Sequence, residues 1–373
     1  MASDRSPRQK LLDLLEGRPS KEVLVSPLVD GTYAAGVAGK EWVSQATTED
    51  LLLCAELGGY EPLIGVGIGP GDSEGSYPGL RWEVETLERD VVSAKRRRTL
   101  HTPWGDLHQV ELEKKGMSTW LIEPLLKEWA PEIVEWYAGQ ILSVRAEAYE
   151  RHARRVVDKV GERGLVYEGV SMPFEMFGLY REESLIYHYF DHRREWRRVS
   201  DTIFEATCQL IEIYLRAGVS AIFFGPYGTE FISPAIFEEE YLSYLKAYHD
   251  VIHRHGGFSY VHSCSKQKEF IARGYYNHFE PDLFETLAPP PTGDIDDLAE
   301  ARRHLSPRIC TKGNIDLGLL WSGSPAEVSS VTRAVLDATR GYRHIVGTAD
   351  AVLPGTPIEN IQAMVTAAKA WRA

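Results

Sequence analysis

A chain of 373 residues, 43% hydrophobic and with nine Trp, has enough apolar material for a large buried core, whether as one large α/β barrel or as two average domains. Its formal charge of −13 argues against a nucleic-acid or anionic-membrane surface, because phosphate binding needs clustered Lys and Arg. One basic run, Lys95 to Arg98, departs from that balance. It lies between Glu83, Glu85, Glu88 and Asp90 upstream and Asp106 and Glu111 downstream, and reads as a solvated hairpin edge rather than an anion site.

Cys54, Cys208, Cys264 and Cys310 are scattered, with no spacing that suggests a small disulfide framework, so a reduced cytoplasm is expected. Met1 to Arg5 leads into a polar helix without an apolar leader, and no apolar run is long enough to span a bilayer. A soluble, cytoplasmic protein follows as the expectation.

Ser6-Pro7 supplies an N-cap and a first-turn proline before Leu11, Leu12, Leu14 and Leu15, which predicts an N-terminal helix closed by Gly17. A first buried strand is expected over 23–29, ending at Asp30-Gly31, then a helix from Thr48 to Leu57 and a second strand over 62–67. From Leu80 to Glu113 the pattern alternates, with a turn at Pro103-Trp104-Gly105, as in half-exposed antiparallel strands. This predicts a β-hairpin insertion at about 80–115 within one domain spanning 1–373. Pro131-Glu132 opens one long helix through about Lys159.

Short apolar runs then alternate with helices. The runs are 165–170, 219–224, 258–261, 282–285, 308–312 and 344–346, and the helices fall near 182–217, 234–255, 265–274, 296–305, 324–340 and 357–371. With the two earlier strands the runs number eight, which fits an α/β fold closed as a single (β/α)8 TIM barrel, although a doubly wound sheet shows the same alternation.

A barrel places chemistry just after strand ends. Asp30, Glu175, Tyr227, Glu230, His262, Cys264, Glu285, Asn314 and Asp350 all fall in such places. In Tyr260-Val261-His262-Ser263-Cys264, an imidazole and a thiol stand two residues apart at a strand tip, a pair that suits zinc but does not fill its shell. Glu285 and Asp350, at later strand ends, offer an oxygen each, so His262, Cys264, Glu285 and Asp350 form the candidate metal set. Each also has a plainer reading. His262 and Cys264 can be a core histidine and a buried thiol, Glu285 a cap on the loop before Ala288, and Asp350 the start of an Asx-type turn over 351–355. Cys310 reads as core packing and His278 as surface. Glu175, Tyr227 and Glu230 are the expected substrate-pocket residues, with Asp30 and Asn314 beside them and Phe174, Phe177 and Tyr180 as an apolar wall.

Several stretches resemble the uroporphyrinogen decarboxylase superfamily. They are Arg8-Gln9-Lys10-Leu11-Leu12 with Gly17-Arg18-Pro19, Phe231-Ile232-Ser233-Pro234 with Phe237, Tyr241 and Leu242, Gly313-Asn314-Ile315-Asp316, and Pro354-Gly355-Thr356-Pro357-Ile358-Glu359-Asn360-Ile361. The resemblance implies a TIM barrel and two branches of chemistry. Its decarboxylases are metal-free and grip a tetrapyrrole's carboxylates with arginines near the N-terminus. Its zinc methyltransferases carry His-x-Cys after a strand, a later Glu, and a Cys before the Gly-Thr-Pro-x-Glu-Asn turn. His262, Cys264 and Glu285 match the first three of these positions, and Asp350 stands at the fourth. The segment from Leu28 to Gly36 carries no arginine, which favours the methyltransferase branch.

That branch implies zinc, with His262, Cys264 and Asp350 in the catalytic role. It also implies a methyl group moving between a corrinoid, carried by a partner protein at the barrel mouth, and a small thiol or related acceptor. A homodimer is a further family expectation. The competing expectations are a metal-free tetrapyrrole decarboxylase and a non-catalytic subunit that docks a corrinoid protein.

Overall fold

The computed structural model describes residues 5–18, 22–67, 80–143, 146–226 and 231–372. Twelve strands run in chain order: β1 Leu24–Val25, β2 Leu63–Gly65, β3 Arg81–Arg89, β4 Ser93–Thr102, β5 Gly105–Lys114, β6 Trp120–Glu123, β7 Leu165–Gly169, β8 Ala221–Phe224, β9 Phe258–Ser263, β10 Leu283–Thr286, β11 Cys310–Ile315 and β12 His344–Thr348. Eight of them form one curled parallel sheet in the order β1-β12-β11-β10-β9-β8-β7-β2, which is consistent with a TIM-like barrel. Its end strands are linked through Glu61. The Glu61 N–H donates to the Val25 carbonyl at 2.9 Å, and the Val25 N–H donates to the Glu61 carboxylate at 3.1 Å.

Strand alternation separates two apolar layers. Leu24, Leu63, Leu165, Ala221, Tyr260, Leu283, Cys310 and Ile345 cluster on the inner face together with Leu11 and Leu15 of the helix Pro7–Leu15. That helix begins where Ser6 accepts a hydrogen bond from the Gln9 N–H at 3.1 Å, and its leucines pack against the strand entries. Val25, Ile64, Val166, Ile222, Phe224, Val261, Phe284 and Val346 belong to the larger cluster shared with the helices. Cys310 is buried in the inner layer, as expected of core packing. None of the four cysteines forms a disulfide.

Three predicted helices are each divided in two. The expected 131–159 helix becomes Pro131–Leu142 and Ala146–Val160, with 144–145 outside the described residues. The 182–217 segment divides at His192 into Glu182–Asp191 and Arg193–Arg216, and the 234–255 segment divides at Tyr241 into Pro234–Glu240 and Leu242–Arg254. Helices Gly31–Val37 and Leu317–Ser322 were not predicted. Both are short and have no apolar period to announce them; Asp30 and Asp316 cap them instead.

The insertion is larger than a hairpin. It is a four-stranded antiparallel sheet in the order β3-β4-β5-β6, with Pro103 and Trp104 in the tight turn. The basic run lies on β4, a central strand and not the edge. Its cations meet acids on both neighbours, as in Arg97 with Glu85 at 3.3 Å and Arg96 with the buried Glu113 at 2.8 Å. Among the described residues, no helix is long and apolar enough to cross a membrane.

Candidate functional site

Three neighbouring strands place a row of polar side chains across the inner face. The parallel register sets His262 of β9 beside Glu285 of β10, and Glu285 beside Lys312 of β11. His262 Nδ1 lies 2.8 Å from Glu285 Oε1. Lys312 Nζ forms an ion pair with Glu285 Oε2 and donates to the Tyr260 hydroxyl at 3.3 Å. Glu285, Lys312 and Tyr260 are fully buried, and His262 is only 5% exposed. The Phe223 ring flanks the imidazole, with centroids 4.9 Å apart.

Burial by itself pushes the Glu285 carboxyl up, but the Lys312 ammonium and the His262 ring outweigh it and hold the group down at about 2. An ionised Glu285 therefore sits behind the histidine.

The i, i+2 spacing of a strand carries Cys264 to the same face as His262, one residue beyond the end of β9. Asp350 arrives two residues beyond β12. His262, Cys264 and Asp350 each present a ligand atom, and these atoms lie within 4.8 Å of one another. Close strand approach at this end depends on glycine. A Cβ on Gly225, just after β8, would lie 1.8 Å from the His262 carbonyl oxygen, and one on Gly347 would lie 2.9 Å from Lys312 Cγ.

Glu285, expected as a direct ligand, is placed otherwise. Its two oxygens engage His262 Nδ1 and Lys312 Nζ, so it orients the imidazole from behind. The reason is register, which puts the carboxylate level with His262 rather than with Cys264. Asp350 Oδ1 accepts the Ala351 N–H at 2.7 Å, the local bond of the plainer reading, while its carboxylate still belongs to the donor group.

The expected pocket residues scatter. Asp30 caps the helix Gly31–Val37, its Oδ1 accepting from the Thr32 and Tyr33 N–H groups at 2.9 and 3.1 Å. Asn314 donates through Nδ2 to the Leu287 carbonyl at 2.8 Å, tying the β11 exit to the β10 exit. Glu175 lines a cavity of about 490 Å³ together with Phe174, Phe177, Tyr180, Phe231 and Tyr241. Its Oε2 accepts the Met172 N–H at 3.1 Å, its Oε1 is buried without a hydrogen-bond partner, and burial pushes the carboxyl well above the usual range. The donor group does not line that cavity. Tyr227 and Glu230 lie outside the described residues. His278 is exposed.

Sequence reasoning missed Lys312 and Tyr260. A signal was present, since a lysine directly after Ile309-Cys310-Thr311, within a run expected as a buried strand, is anomalous unless a carboxylate meets it.

The donor set suits zinc, which takes imidazole nitrogen, thiolate sulfur and carboxylate oxygen and in catalytic sites leaves a fourth position open. The ionised Glu285 on the far nitrogen of His262 is the outer partner such a ligand requires.

Comparison with known proteins gives the family and the fold. The family profile "Uroporphyrinogen decarboxylase (URO-D)" matches residues 152–371, which include every residue of the polar row and of the donor group. A uroporphyrinogen decarboxylase of Synechococcus sp. (strain CC9605) is 38% identical over 73 residues, 20% of each chain. That of Gluconobacter oxydans (strain 621H) is 22% identical over 173 residues, 46% of this chain and 48% of the relative. The chain thus aligns with about a fifth to a half of the length of these curated relatives. Among solved structures, a methyltransferase from Methanosarcina mazei superposes with a TM-score of 0.72 at 15% identity, covering 98% of both chains. A B12-independent methionine synthase from Shewanella sp. W3-18-1, solved with selenomethionine, gives 0.51 at 12% identity over 94% of this chain and 95% of that one. With a profile matching more than half its length and the whole polar row inside the match, the chain belongs to the uroporphyrinogen decarboxylase family.

Proposed function

We propose that this chain is a zinc-dependent methyltransferase that moves a methyl group between a corrinoid, or another methyl donor, and a small thiol or related acceptor. The observation that carries the reading is the convergence of His262, Cys264 and Asp350 at the C-terminal strand ends, with Glu285 and Lys312 behind them. Its fold resembles a structure named as a methyltransferase and another named as a B12-independent methionine synthase, which supports the same class of reaction.

Zinc held there would supply Lewis acidity that lowers the pKa of an acceptor thiol, so that it reacts as thiolate near neutral pH. Glu285, held ionised by Lys312, fixes the His262 ring through Nδ1 and leaves Nε2 as the ligating nitrogen. Cys264 contributes the soft donor and Asp350 a harder one than the thiolate of the resembling enzymes. That exchange shifts the site toward stronger Lewis acidity and opens oxygen acceptors to it. The surrounding proposal is a closed barrel acting as one domain over 1–373, cytoplasmic and homodimeric, with a corrinoid protein docking at the mouth.

Metal analysis tests the reading. The protein as purified should carry zinc that His262→Ala removes, and methyl transfer to a thiol should disappear with it. A protein that holds no zinc at these residues, or that decarboxylates an anionic tetrapyrrole without metal, refutes it. The absence of arginine from Leu28 to Gly36 argues against the second outcome.

A further inference from the structure

A second set of ligating side chains lies at the opposite pole, where β9 and β10 begin. His249 and His253 stand four residues apart on the helix Leu242–Arg254, so they share one face. Their ring centroids are 4.0 Å apart. Asp282, one residue before β10, completes the set, and the three side chains offer ligand atoms within 4.8 Å of one another.

Asp282 is held in place from the strand side. Its Oδ2 accepts the Ser259 N–H at 2.7 Å, the Ser259 hydroxyl at 2.9 Å, and His253 Nε2 at 2.7 Å. His249 Nδ1 lies 2.9 Å from the same hydroxyl. An oriented carboxylate facing two imidazoles from one helix turn is more order than a surface ion pair requires. Surface pairs typically contribute about 0–1 kcal/mol and need no third partner.

We propose that His249, His253 and Asp282 form a second metal site for zinc or a similar borderline divalent ion. Two imidazoles and one carboxylate select zinc, nickel or copper over magnesium or calcium, whose shells are built of oxygen. His253 is exposed over nearly half its side chain, so the ion enters from solvent and water completes its shell. The ion takes the place of the proton shared by His253 Nε2 and Asp282 Oδ2, and that proton passes to solvent. Once bound, it clamps the helix that feeds β9 to the entry of β10, the two strands that carry His262 and Glu285. The site contains no sulfur and does not depend on the methyltransferase reading.

Equilibrium dialysis against zinc, and cobalt absorption, test it in a Cys264→Ser background. That chain should bind one equivalent at this pole, raise its melting temperature with added zinc, and with cobalt show visible d–d bands without a thiolate charge-transfer band. Adding His253→Ala should remove one equivalent and the zinc-dependent rise, while the metal-free melting temperature stays close to the parent. His249→Gln should do the same. Equal zinc stoichiometry with and without His253→Ala, or the same rise in melting temperature in both chains, overturns the proposal. A parent chain that binds no zinc at His262 and Cys264 yet still loses one equivalent on His253→Ala would refute the function above and leave this site intact.

Discussion

Replacing Lys312 with methionine tests the electrostatics on which the candidate site rests. The ammonium and the Glu285 carboxylate are both fully buried and in contact. Methionine fills a similar volume but leaves the carboxylate without its cation, a change that typically costs about 3–5 kcal/mol. A second route gives a similar magnitude. Held from the ordinary 4.5 down to about 2, the Glu285 carboxyl contributes on the order of 3 kcal/mol at pH 7. Because the folded value lies below the unfolded one, that contribution is complete above about 4.5 and is lost as pH falls toward about 2. In the variant, burial dominates and Glu285 takes up a proton, so its remaining cost grows as pH rises. Urea unfolding followed by tryptophan fluorescence should show a deficit of about 3–5 kcal/mol at pH 7 that narrows by pH 4. Adding Glu285→Gln should recover part of it, because the buried charge disappears with its partner. A deficit below about 1 kcal/mol, or one that does not change on acidification, would refute the reasoning.

Three further outcomes follow from named contacts. Glu285→Gln leaves Lys312 buried without its counterion and should lose about 3–5 kcal/mol of stability, and the folded variant should bind zinc about 10–100-fold more weakly in competition with a chromophoric chelator, since His262 loses its ionised partner; unchanged affinity would remove Glu285 from the site. Gly225→Ala sets a methyl group against the His262 carbonyl, so thermal unfolding should show a loss above roughly 3 kcal/mol together with lost metal, and a variant as stable as the parent would contradict the strand spacing. Burial pushes the Glu168 carboxyl up to about 8 and leaves its Oε2 without a hydrogen-bond partner, so it costs the folded state increasingly as pH rises from 4.5 toward 8. Glu168→Gln should therefore gain roughly 2–4 kcal/mol on the parent between pH 5 and pH 9. A difference that stays flat across that range is the failing result.

The sequence by itself settled the alternation of strand and helix and the position of all eight parallel strands to within a few residues, because inner and outer faces demand apolar runs that turn residues interrupt. It also exposed His262 and Cys264, whose i, i+2 spacing fixes a shared face as soon as the strand is recognised. Asp350 was grouped with that pair from its place after a strand, because barrel strand ends converge, and the structure does set it beside them while leaving Glu285 out of the group. Neighbourhood between residues so far apart in sequence is set by how the sheet curls, which no local pattern carries. Glu285 marks the boundary most clearly. Its residue type and position permitted metal ligation, and only the register of β10 against β9 and β11 turned it toward His262 Nδ1 and Lys312. The same reason hid Lys312, which in one dimension is a stray charge in an apolar run and in three is the counterion that keeps a buried carboxylate ionised. The central placement of the basic β4 strand was hidden likewise, since the order of strands in a sheet depends on pairings that form only when the chain has folded.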